Sequence, residues 1–295
     1  MTIEHRTYAD LTAPDTSRMV EQVTDQHARV AARLEGVKAC VALMSGKGGV
    51  GKSLATAVFA AACARRGLEV GLLDADLVGP SAARMSGVDP SGLIVSEDGV
   101  RPVVSGAGVR VMSMDLLLEQ GAPLAWREPG SESFVWRGAQ ERSALREFLA
   151  DVEWGQLDLL FVDLPPGTQR LIDLHELLPK LDGIVVLTIP SGASQAAVTR
   201  SMRLARDRGV PIVGVVENMA GYACPGCAET RPLFPGAAGE RLAKEHGATL
   251  LGRVPFDPRA AELAESGELA TLLDDTAAGR ALDAVAGAIV GSSVG

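Results

Sequence analysis

The chain of 295 residues carries 28 Lys and Arg against 37 Asp and Glu, a formal net charge of −9. Hydrophobic residues make up 47% and charged residues 22%, which is typical of a globular domain and excludes a disordered acidic chain. The acidic total also disfavours a wholly basic nucleic-acid binder. Aromatic residues reach only 4%, whereas glycine numbers 33. The core must therefore be aliphatic, and the excess of glycine indicates places where the backbone approaches another group closely.

No apolar run predicts a membrane span, because charges, glycine or proline interrupt each run well short of about 18 residues. The first eight residues lack the apolar core of a signal peptide. We therefore expect a cytoplasmic protein with no membrane partner. Its four cysteines are then expected to be reduced thiols or metal ligands, not disulfides.

The first segment, residues 1–37, is predicted to be a helical extension. Asp15 can cap this helix and Gly36 can end it. Between them, apolar residues recur at helical spacing: Met19, Val23, Val30 and Leu34. We expect the helix to pack on the rest of the domain or on a partner subunit.

From residue 38 onward, short aliphatic runs alternate with helical stretches. The predicted strands are Ala39–Met44, Glu69–Leu73, Val109–Met112, Leu157–Val162, Gly183–Ile189, Ile212–Val216 and Thr249–Leu251. The predicted helices include Lys52–Arg66, Gln140–Ala150, Ser194–Arg208 and Gly239–His246. The stretch Gly87–Pro102 predicts an inserted hairpin around Asp98-Gly99. This alternation predicts an α/β fold with a doubly wound, mostly parallel sheet, in one domain of residues 38–295.

The first predicted strand runs into a complete G-x-x-x-x-G-K-[ST] motif, with a helix directly after it. Its residues are Gly46, Lys47, Gly48, Gly49, Val50, Gly51, Lys52 and Ser53. Glycines let the backbone wrap phosphates without Cβ clashes, and the helix N-terminus favours an anion. The motif predicts a P-loop NTPase, in which Lys52 neutralises the β- and γ-phosphates and Ser53 ligates Mg²⁺.

Acidic residues close two further strands. Asp74 and Asp76 follow the second strand, and Asp163 follows the fourth predicted parallel strand of the core with Gly167 shortly after it. Ligands of a doubly wound sheet bind beyond the carboxyl ends of its strands, so both motifs can reach the phosphates. We expect Asp163 to hold Mg²⁺ directly or through water and Asp76 to orient or activate the attacking water. Asp74 would support this loop, and the Gly167 amide could approach the γ-phosphate.

Two further motifs allow more than one interpretation from the residues alone. Asn218, after the strand Ile212–Val216, could recognise an adenine edge or simply form a turn. Cys224 and Cys227, in Cys-Pro-Gly-Cys, are predicted to lie in a loop and could be a redox pair, half a zinc site or half an iron–sulfur site. A redox pair would begin a helix, which the following residues support weakly. The remaining cysteines, Cys40 and Cys63, fall in core elements and are expected to be small hydrophobes.

The phosphate loop of residues 45–53, Ser-Gly-Lys-Gly-Gly-Val-Gly-Lys-Ser, resembles the deviant Walker A loop of the MinD/ParA/nitrogenase-iron-protein superclass. The resemblance implies that Lys47 reaches across a homodimer to the partner's nucleotide, where its charge would act as an arginine finger does in trans. It also favours base recognition by Asn218. A dimer would bring two copies of Cys224 and Cys227 together and supply four thiolates.

Six segments together resemble the Mrp/ApbC family of iron–sulfur carrier ATPases. They are residues 45–53, 74–81, 135–138, 151–155, 163–168 and 217–227. The resemblance implies an ATP hydrolase that binds ATP or ADP with Mg²⁺ and holds a labile [4Fe–4S] cluster between the cysteine pairs of a homodimer. The cluster would be transferred to apo-protein clients, and Zn²⁺ could substitute for it. No nucleic-acid partner is implied.

The chain departs from the usual family pattern at two places. Gln169-Arg170 stand where Gly-Asp is usual after Pro-Pro-Gly-Thr, and Ala139-Gln140 stand where Pro-Met is usual after Trp-Arg-Gly. Both departures lie near the switch, the part of the site that the resemblance implies would couple the nucleotide state to cluster handling. We therefore expect weak or altered hydrolysis.

Two alternatives compete with a cluster carrier. A positioning ATPase of the MinD/ParA type would use a basic amphipathic C-terminal helix or a basic DNA-binding patch, but Ala277–Gly295 holds one Arg and no Lys. Four arginines at 200, 203, 206 and 208 predict a solvated helix face. An ATP-driven electron donor like the nitrogenase iron protein also bridges a cluster, but with cysteines far apart in sequence.

Overall fold

The computed structural model describes residues 19–77, 79–97, 99–117, 134–167, 169–178, 180–227, 229–234 and 236–293. The predicted cap Asp15 and hairpin residue Asp98 lie outside the described residues, as do Val78 and Thr168 of two motifs. No helix in the described part is long and apolar enough to cross a membrane.

A nine-stranded sheet forms the centre of the molecule. Its strands are β1 Val37–Ser45, β2 Val70–Asp74, β5 Val103–Val104, β6 Arg110–Met112, β7 Leu157–Asp163, β8 Gly183–Thr188, β9 Ile212–Ala223, β10 Thr230–Pro232 and β11 Leu250–Phe256. Their order in the sheet is β10-β9-β8-β1-β7-β2-β6-β5, and β11 pairs with β9. The pairs β5–β6 and β9–β10 are antiparallel and the others are parallel. The predicted fold class is confirmed.

Helices cover the sheet on both faces. They are α1 Met19–Leu34, α2 Lys52–Arg65, α3 Ala82–Met85, α4 Phe134–Asp151, α5 Gln169–Leu177, α6 Gly192–Asp207, α7 Ala238–Glu245, α8 Pro258–Glu265, α9 Leu269–Asp275 and α10 Ala277–Ser293. The four helices predicted between residues 52 and 246 are present as α2, α4, α6 and α7. Helix α4 begins six residues before its predicted start. The departure at Ala139-Gln140 falls inside α4.

The central strand β1 shows why the sheet needs helices on both sides. Ala39, Val41 and Leu43 belong to one buried cluster, which includes most of α2. Cys40, Ala42 and Met44 belong to a second cluster, formed with α4, α5 and α6. Successive side chains of a strand point to opposite faces, so an uninterrupted aliphatic strand is buried on both sides.

The predicted end of strand β9 is wrong. This strand was predicted to end at Val216, before Asn218, but β9 continues to Ala223. The reason is pairing with distant residues, since Asn218 pairs with Val254 of β11 and Tyr222 with both Phe256 and Arg231. The cysteines lie directly after β9, in the connection to β10, where a loop was predicted. The idea that the pair begins a helix is wrong, because strand β10 follows it.

The predicted hairpin is present as β3 Ile94–Ser96 and β4 Gly99–Arg101, which form a separate antiparallel sheet. The predicted N-terminal helix is present as α1 and packs against α4. Val30 and Leu34 of α1 are buried in the second cluster, and Arg29 pairs with Asp151 at the end of α4. The four predicted surface arginines, at 200, 203, 206 and 208, are exposed.

The start of α10 yields a test of the packing. Thr276 caps this helix: its hydroxyl accepts from the Gly279 N–H at 2.8 Å and donates to the Leu272 carbonyl at 2.7 Å. A Cβ on Gly279 would lie 1.9 Å from that carbonyl oxygen, whereas a Cβ on Gly291 of the same helix would meet nothing within 4 Å.

We therefore expect Gly279→Ala to lower the free energy of unfolding by about 1–3 kcal/mol, the usual cost of overpacking. Gly291→Ala is the matched control and should be neutral or raise it by up to about 1 kcal/mol, since alanine favours a helix. Urea unfolding followed by circular dichroism measures both. Equal stabilities of the two variants would contradict the described packing.

Candidate functional site

The phosphate loop lies between the end of β1 and the first turn of α2, at the carboxyl edge of the sheet. Gly49 and Gly51 have φ angles of 74° and 82°, a left-handed conformation that glycine adopts without strain. A Cβ on Gly51 would lie 2.4 Å from the Asn218 amide nitrogen, so this position has a second reason to be glycine. The loop lines a cavity of about 270 Å³, with Asp76 and Pro166 on its wall.

Asp163 is the charge at the centre of this site. It ends β7 and is fully buried. Its Oδ1 accepts hydrogen bonds from Lys52 Nζ at 2.6 Å and Thr56 Oγ1 at 2.9 Å, and its Oδ2 accepts from Ser53 Oγ at 2.5 Å. Removing one partner of a buried ion pair typically costs about 3–5 kcal/mol, so this contact ties β7 to α2.

The donor set fits Mg²⁺. The Ser53 hydroxyl and the Asp163 carboxylate are hard oxygen donors that lie side by side at the edge of the phosphate loop. Magnesium prefers such ligands and commonly takes one or two from the protein and others from phosphates and water. Ser53 and Asp163 are therefore the residues that would hold the ion.

Asp74 fixes the loop that carries Asp76. Its carboxylate accepts from the N–H groups of Ser81 and Ala82 at 2.9 Å and of Asp76 at 3.1 Å. Burial, together with the nearby Asp163, raises the pKa of Asp74 to about 7. Asp76 itself lines the phosphate cavity, and its side chain accepts from the Gly79 N–H at 3.1 Å. Asp76 thus lies on the wall of the phosphate cavity, and its role with the attacking water stays a prediction.

Lys47 and Gly167 also lie beside the loop. Lys47 is half-buried on the cavity wall, and no carboxylate of the described residues lies within 4 Å of its ammonium group. Its carbonyl accepts from Ser45 Oγ at 3.0 Å, which sets the loop conformation. Gly167, with φ at 113°, donates its N–H to the Ser45 carbonyl at 3.3 Å.

Asn218 holds the loop and lines a second cavity. Its amide nitrogen donates to the Val50 carbonyl at 2.8 Å. The adjoining cavity measures about 140 Å³, and Asn218, Leu54 and Phe256 line it. Its walls are mainly apolar, as a flat heterocycle requires. Base recognition by Asn218 stays a prediction, since its amide already serves the loop.

The departure at Gln169-Arg170 lies in the first turn of α5, directly after Gly167. Arg170 Nη1 lies 3.4 Å from Asp173, and Arg142 of α4 binds the same carboxylate through its Nε at 3.1 Å. Asp173 is 4% exposed, so two arginines enclose a buried carboxylate. The cluster borders Asp76 through a small shared cavity.

The cysteine turn joins β9 to β10. The Cys224 N–H donates to the Glu229 carbonyl at 3.0 Å and closes the turn. Backbone N–H groups of Cys227 and Gly226 point at the Cys224 sulfur and lower its pKa. Cys224 is half-buried and Cys227 is exposed. One chain thus offers two accessible thiols, and a site of four thiolates needs two more.

A family model, several proteins of known name and several solved structures are similar to this chain over most of its length. The ParA model described as NUBPL iron-transfer P-loop NTPase matches residues 36–290. The chain belongs to this family. This confirms the resemblance drawn from the motifs, and it establishes a nucleotide-binding P-loop NTPase.

Proteins similar to this chain are named as iron-sulfur cluster carriers or assembly factors. An iron-sulfur cluster carrier protein of Saccharolobus solfataricus is 38% identical over 86% of this chain and 83% of its own length. One from Methanocaldococcus jannaschii is 37% identical over 89% and 87%. The cytosolic Fe-S cluster assembly factor CFD1 of Yarrowia lipolytica is 41% identical over 77% of each chain.

Solved structures agree with the fold. A nucleotide-binding protein of Archaeoglobus fulgidus in complex with ADP has a TM-score of 0.70 and 33% identity, over 82% of this chain and 92% of that one. The septum site-determining protein MinD of Pyrococcus horikoshii with Mg-ADP has a TM-score of 0.56 and 19% identity, over 84% and 94%. At 19% identity the similarity to MinD supports only the fold.

Three features of the site were missed from the sequence. Thr56 lies one helical turn after Lys52, a spacing that could have marked it as a neighbour of the same carboxylate. Phe256 was missed because β11 was predicted to end at Leu251. The enclosure of Asp173 by Arg142 and Arg170 had no local signal, since Arg142 lies 31 positions away.

The four cysteines should differ sharply in reactivity. Burial raises the pKa of Cys40 and of Cys63 to about 12, whereas the pKa of Cys224 is lowered. Because the thiolate is the reactive form, iodoacetamide at pH 7.5 should modify Cys224 and Cys227 in the folded protein. Cys40 and Cys63 should react only after denaturation. Peptide mass spectrometry reads each position, and early modification of Cys40 or Cys63 would contradict the described burial.

Proposed function

We propose that the chain is an ATP-dependent iron–sulfur cluster carrier. The single observation that supports this best is the continuity of β9, which holds Asn218 against the phosphate loop and ends in the turn of Cys224 and Cys227. One strand thus joins a nucleotide site to an accessible thiol pair. A positioning ATPase would explain the fold but gives no role to the thiols.

The nucleotide chemistry follows from charges that the loop brings together. Lys52 would neutralise the β- and γ-phosphates, and the loop amides would hold their oxygens. Mg²⁺, held by Ser53 and Asp163, would supply positive charge to the phosphates when bound. Asp76 would orient or activate the attacking water from the cavity wall. The amide of Gly167, which donates to the Ser45 carbonyl at 3.3 Å, would turn to the γ-phosphate when nucleotide binds. Asn218 would contact the adenine edge.

Lys47 supports the proposal of a homodimer. Within the described residues its ammonium group is paired with no carboxylate, and Lys47 lies on the wall of the phosphate cavity. A cation in this position can complete the site of a facing subunit and stabilise the charge of the transferred phosphoryl group. The same two-fold arrangement would bring two cysteine turns together.

Four thiolates from two turns would hold the cargo, a labile [4Fe–4S] cluster, which the dimer transfers to apo-protein clients. Zn²⁺ is the substitute that the same thiolates could bind. We place this activity in the cytoplasm and propose that ATP hydrolysis is weak, because Arg170 replaces an acid beside the switch. The division into an extension of residues 1–37 and a domain of residues 38–295 stays a prediction.

Iron loading tests the cargo. After anaerobic incubation with iron and sulfide, the protein should take up about four irons per dimer and show the broad visible absorption of a cluster. The variant Cys224→Ala/Cys227→Ala should lose both, because the thiolates are the proposed ligands. The variant Cys40→Ala/Cys63→Ala is the matched control and should keep them. Tight stoichiometric zinc with no iron uptake would refute the cluster while leaving the nucleotide site intact.

Two lysines of one loop should separate binding from hydrolysis. Lys52→Ala should abolish ATP binding in calorimetry, because it removes the buried cation of the phosphate site. Lys47→Ala should keep ATP affinity and lower the hydrolysis rate at least about tenfold, as loss of a finger in trans does. Lys180→Ala, at a lysine 71% exposed, is the control and should change neither. Unchanged hydrolysis in Lys47→Ala would contradict its proposed role.

A further inference from the structure

A large cavity on the cysteine hairpin is not used by the nucleotide chemistry. It measures about 550 Å³ and lies where the ends of β9, β10 and β11 meet. We call it the basic cavity, and its lining includes Gly221, Thr230, Arg231, Phe234, Arg253 and Pro255. Arg231 pairs across the hairpin with Tyr222, two residues before Cys224. The cavity therefore opens next to the turn that carries the thiols.

Arg253 is a fixed cation in this cavity. Its Nε donates to Glu217 Oε2 at 2.7 Å, and Glu217 is fully buried. The other Glu217 oxygen accepts from the Gly239 N–H at 2.8 Å, so the carboxylate is held on both sides. No hydrogen bond within the described part of the chain uses the two terminal nitrogens of Arg253. A planar fork held in this way is suited to bind a carboxylate through two parallel hydrogen bonds.

The other walls supply a second cation and an apolar surface. Arg231 is 69% exposed and pairs with Glu229 at 2.8 Å. An exposed pair of this kind contributes little stability, so Arg231 can exchange its partner for an incoming carboxylate. Phe234 and Pro255 provide the apolar part of the lining. Two guanidinium groups beside an aromatic ring suit a chain that alternates acidic and apolar side chains.

The charge of the whole protein makes this cavity selective. The chain carries a formal net charge of −9, so it has no general attraction for an acidic partner. Binding of such a partner depends on the guanidinium donors that the pairs Arg253–Glu217 and Arg231–Glu229 leave available. We propose that the basic cavity binds an acidic segment of the apo-protein client, with carboxylates on Arg253 and Arg231 and an apolar side chain on Phe234. This inference rests on the proposed carrier function and identifies the chemistry of its partner.

Binding of a defined peptide tests the inference. The probe is a fluorescein-labelled peptide Glu-Leu-Asp-Phe-Glu-Leu-Asp, titrated with the full chain and followed by fluorescence anisotropy. Arg231→Gln and Arg253→Lys should each raise Kd about tenfold, the equivalent of one charge-assisted hydrogen bond. Arg253→Lys keeps the charge that the buried Glu217 needs and removes only the fork, so the fold is preserved.

The control is Arg259→Gln, which removes the same charge from an arginine 55% exposed on α8, outside the cavity. It should leave Kd within about twofold, and a peptide with Lys in place of Glu and Asp should not bind. Equal weakening by Arg259→Gln, or equal binding of an oligonucleotide of the same charge, would overturn the inference. So would a peptide that lowers the mass of the protein from dimer to monomer in light scattering, because a second copy would then be the occupant that the peptide displaces.

The iron content of the same preparations separates a failure of the acidic-segment inference from a failure of the carrier function. Iron uptake without peptide binding would refute the acidic-segment inference alone. Peptide binding lost in Arg231→Gln and Arg253→Lys, measured on protein that takes up no iron, would support the ligand chemistry of the cavity and refute the carrier function.

Discussion

The contact between Asp163 and the start of α2 holds the site together. A buried carboxylate receives one ammonium group and two hydroxyls from a single helical turn, and its own backbone carbonyl accepts from Ala75 at 2.9 Å. It thus fixes a helix to β7 and joins β7 to the exit of β2. Asp74, which pairs with Asp163 across the sheet, has its pKa raised by that neighbour as well as by burial. Lys52 is the cation that offsets the negative charge of Asp163 at this edge of the sheet.

The parallel sheet determines where these charges can meet. β1, β2 and β7 are adjacent, and all three end at the same edge, so side chains more than a hundred positions apart in the chain come within hydrogen-bond distance. Helix α2 can approach this sheet closely because five of its ten buried residues are alanine. Its single large aromatic residue, Phe59, meets Phe161 of β7 at a centroid distance of 6.4 Å.

Sequence patterns predicted what depends on neighbouring residues and missed what depends on distant ones. The phosphate loop is a local device of glycines before a helix, so its position and its partner strands followed from the motif. The strand β9 beyond Val216 contains Asn218 and Gly221, which are poor strand formers, and only pairing with β11 and β10 makes it extended. The Arg253–Glu217 bond joins residues 36 positions apart and has no periodic signal. The loop that carries Cys224 and Cys227 could be predicted, but not the strand residues 217–223 before it or the strand β10 after it.

The extended β9 also limits how the two ends of the site can communicate. Asn218 and Cys224 are six positions apart on or just beyond one strand, which corresponds to about 20 Å of extended chain. A hydrogen-bonded strand is close to inextensible, so it cannot act as a spring between the phosphate loop and the thiols. A Cβ at position 51 would already collide with Asn218, so there is almost no free space between this side chain and the phosphate loop. Any displacement of the loop that reaches the thiols through β9 must tilt or slide the strand as a rigid rod.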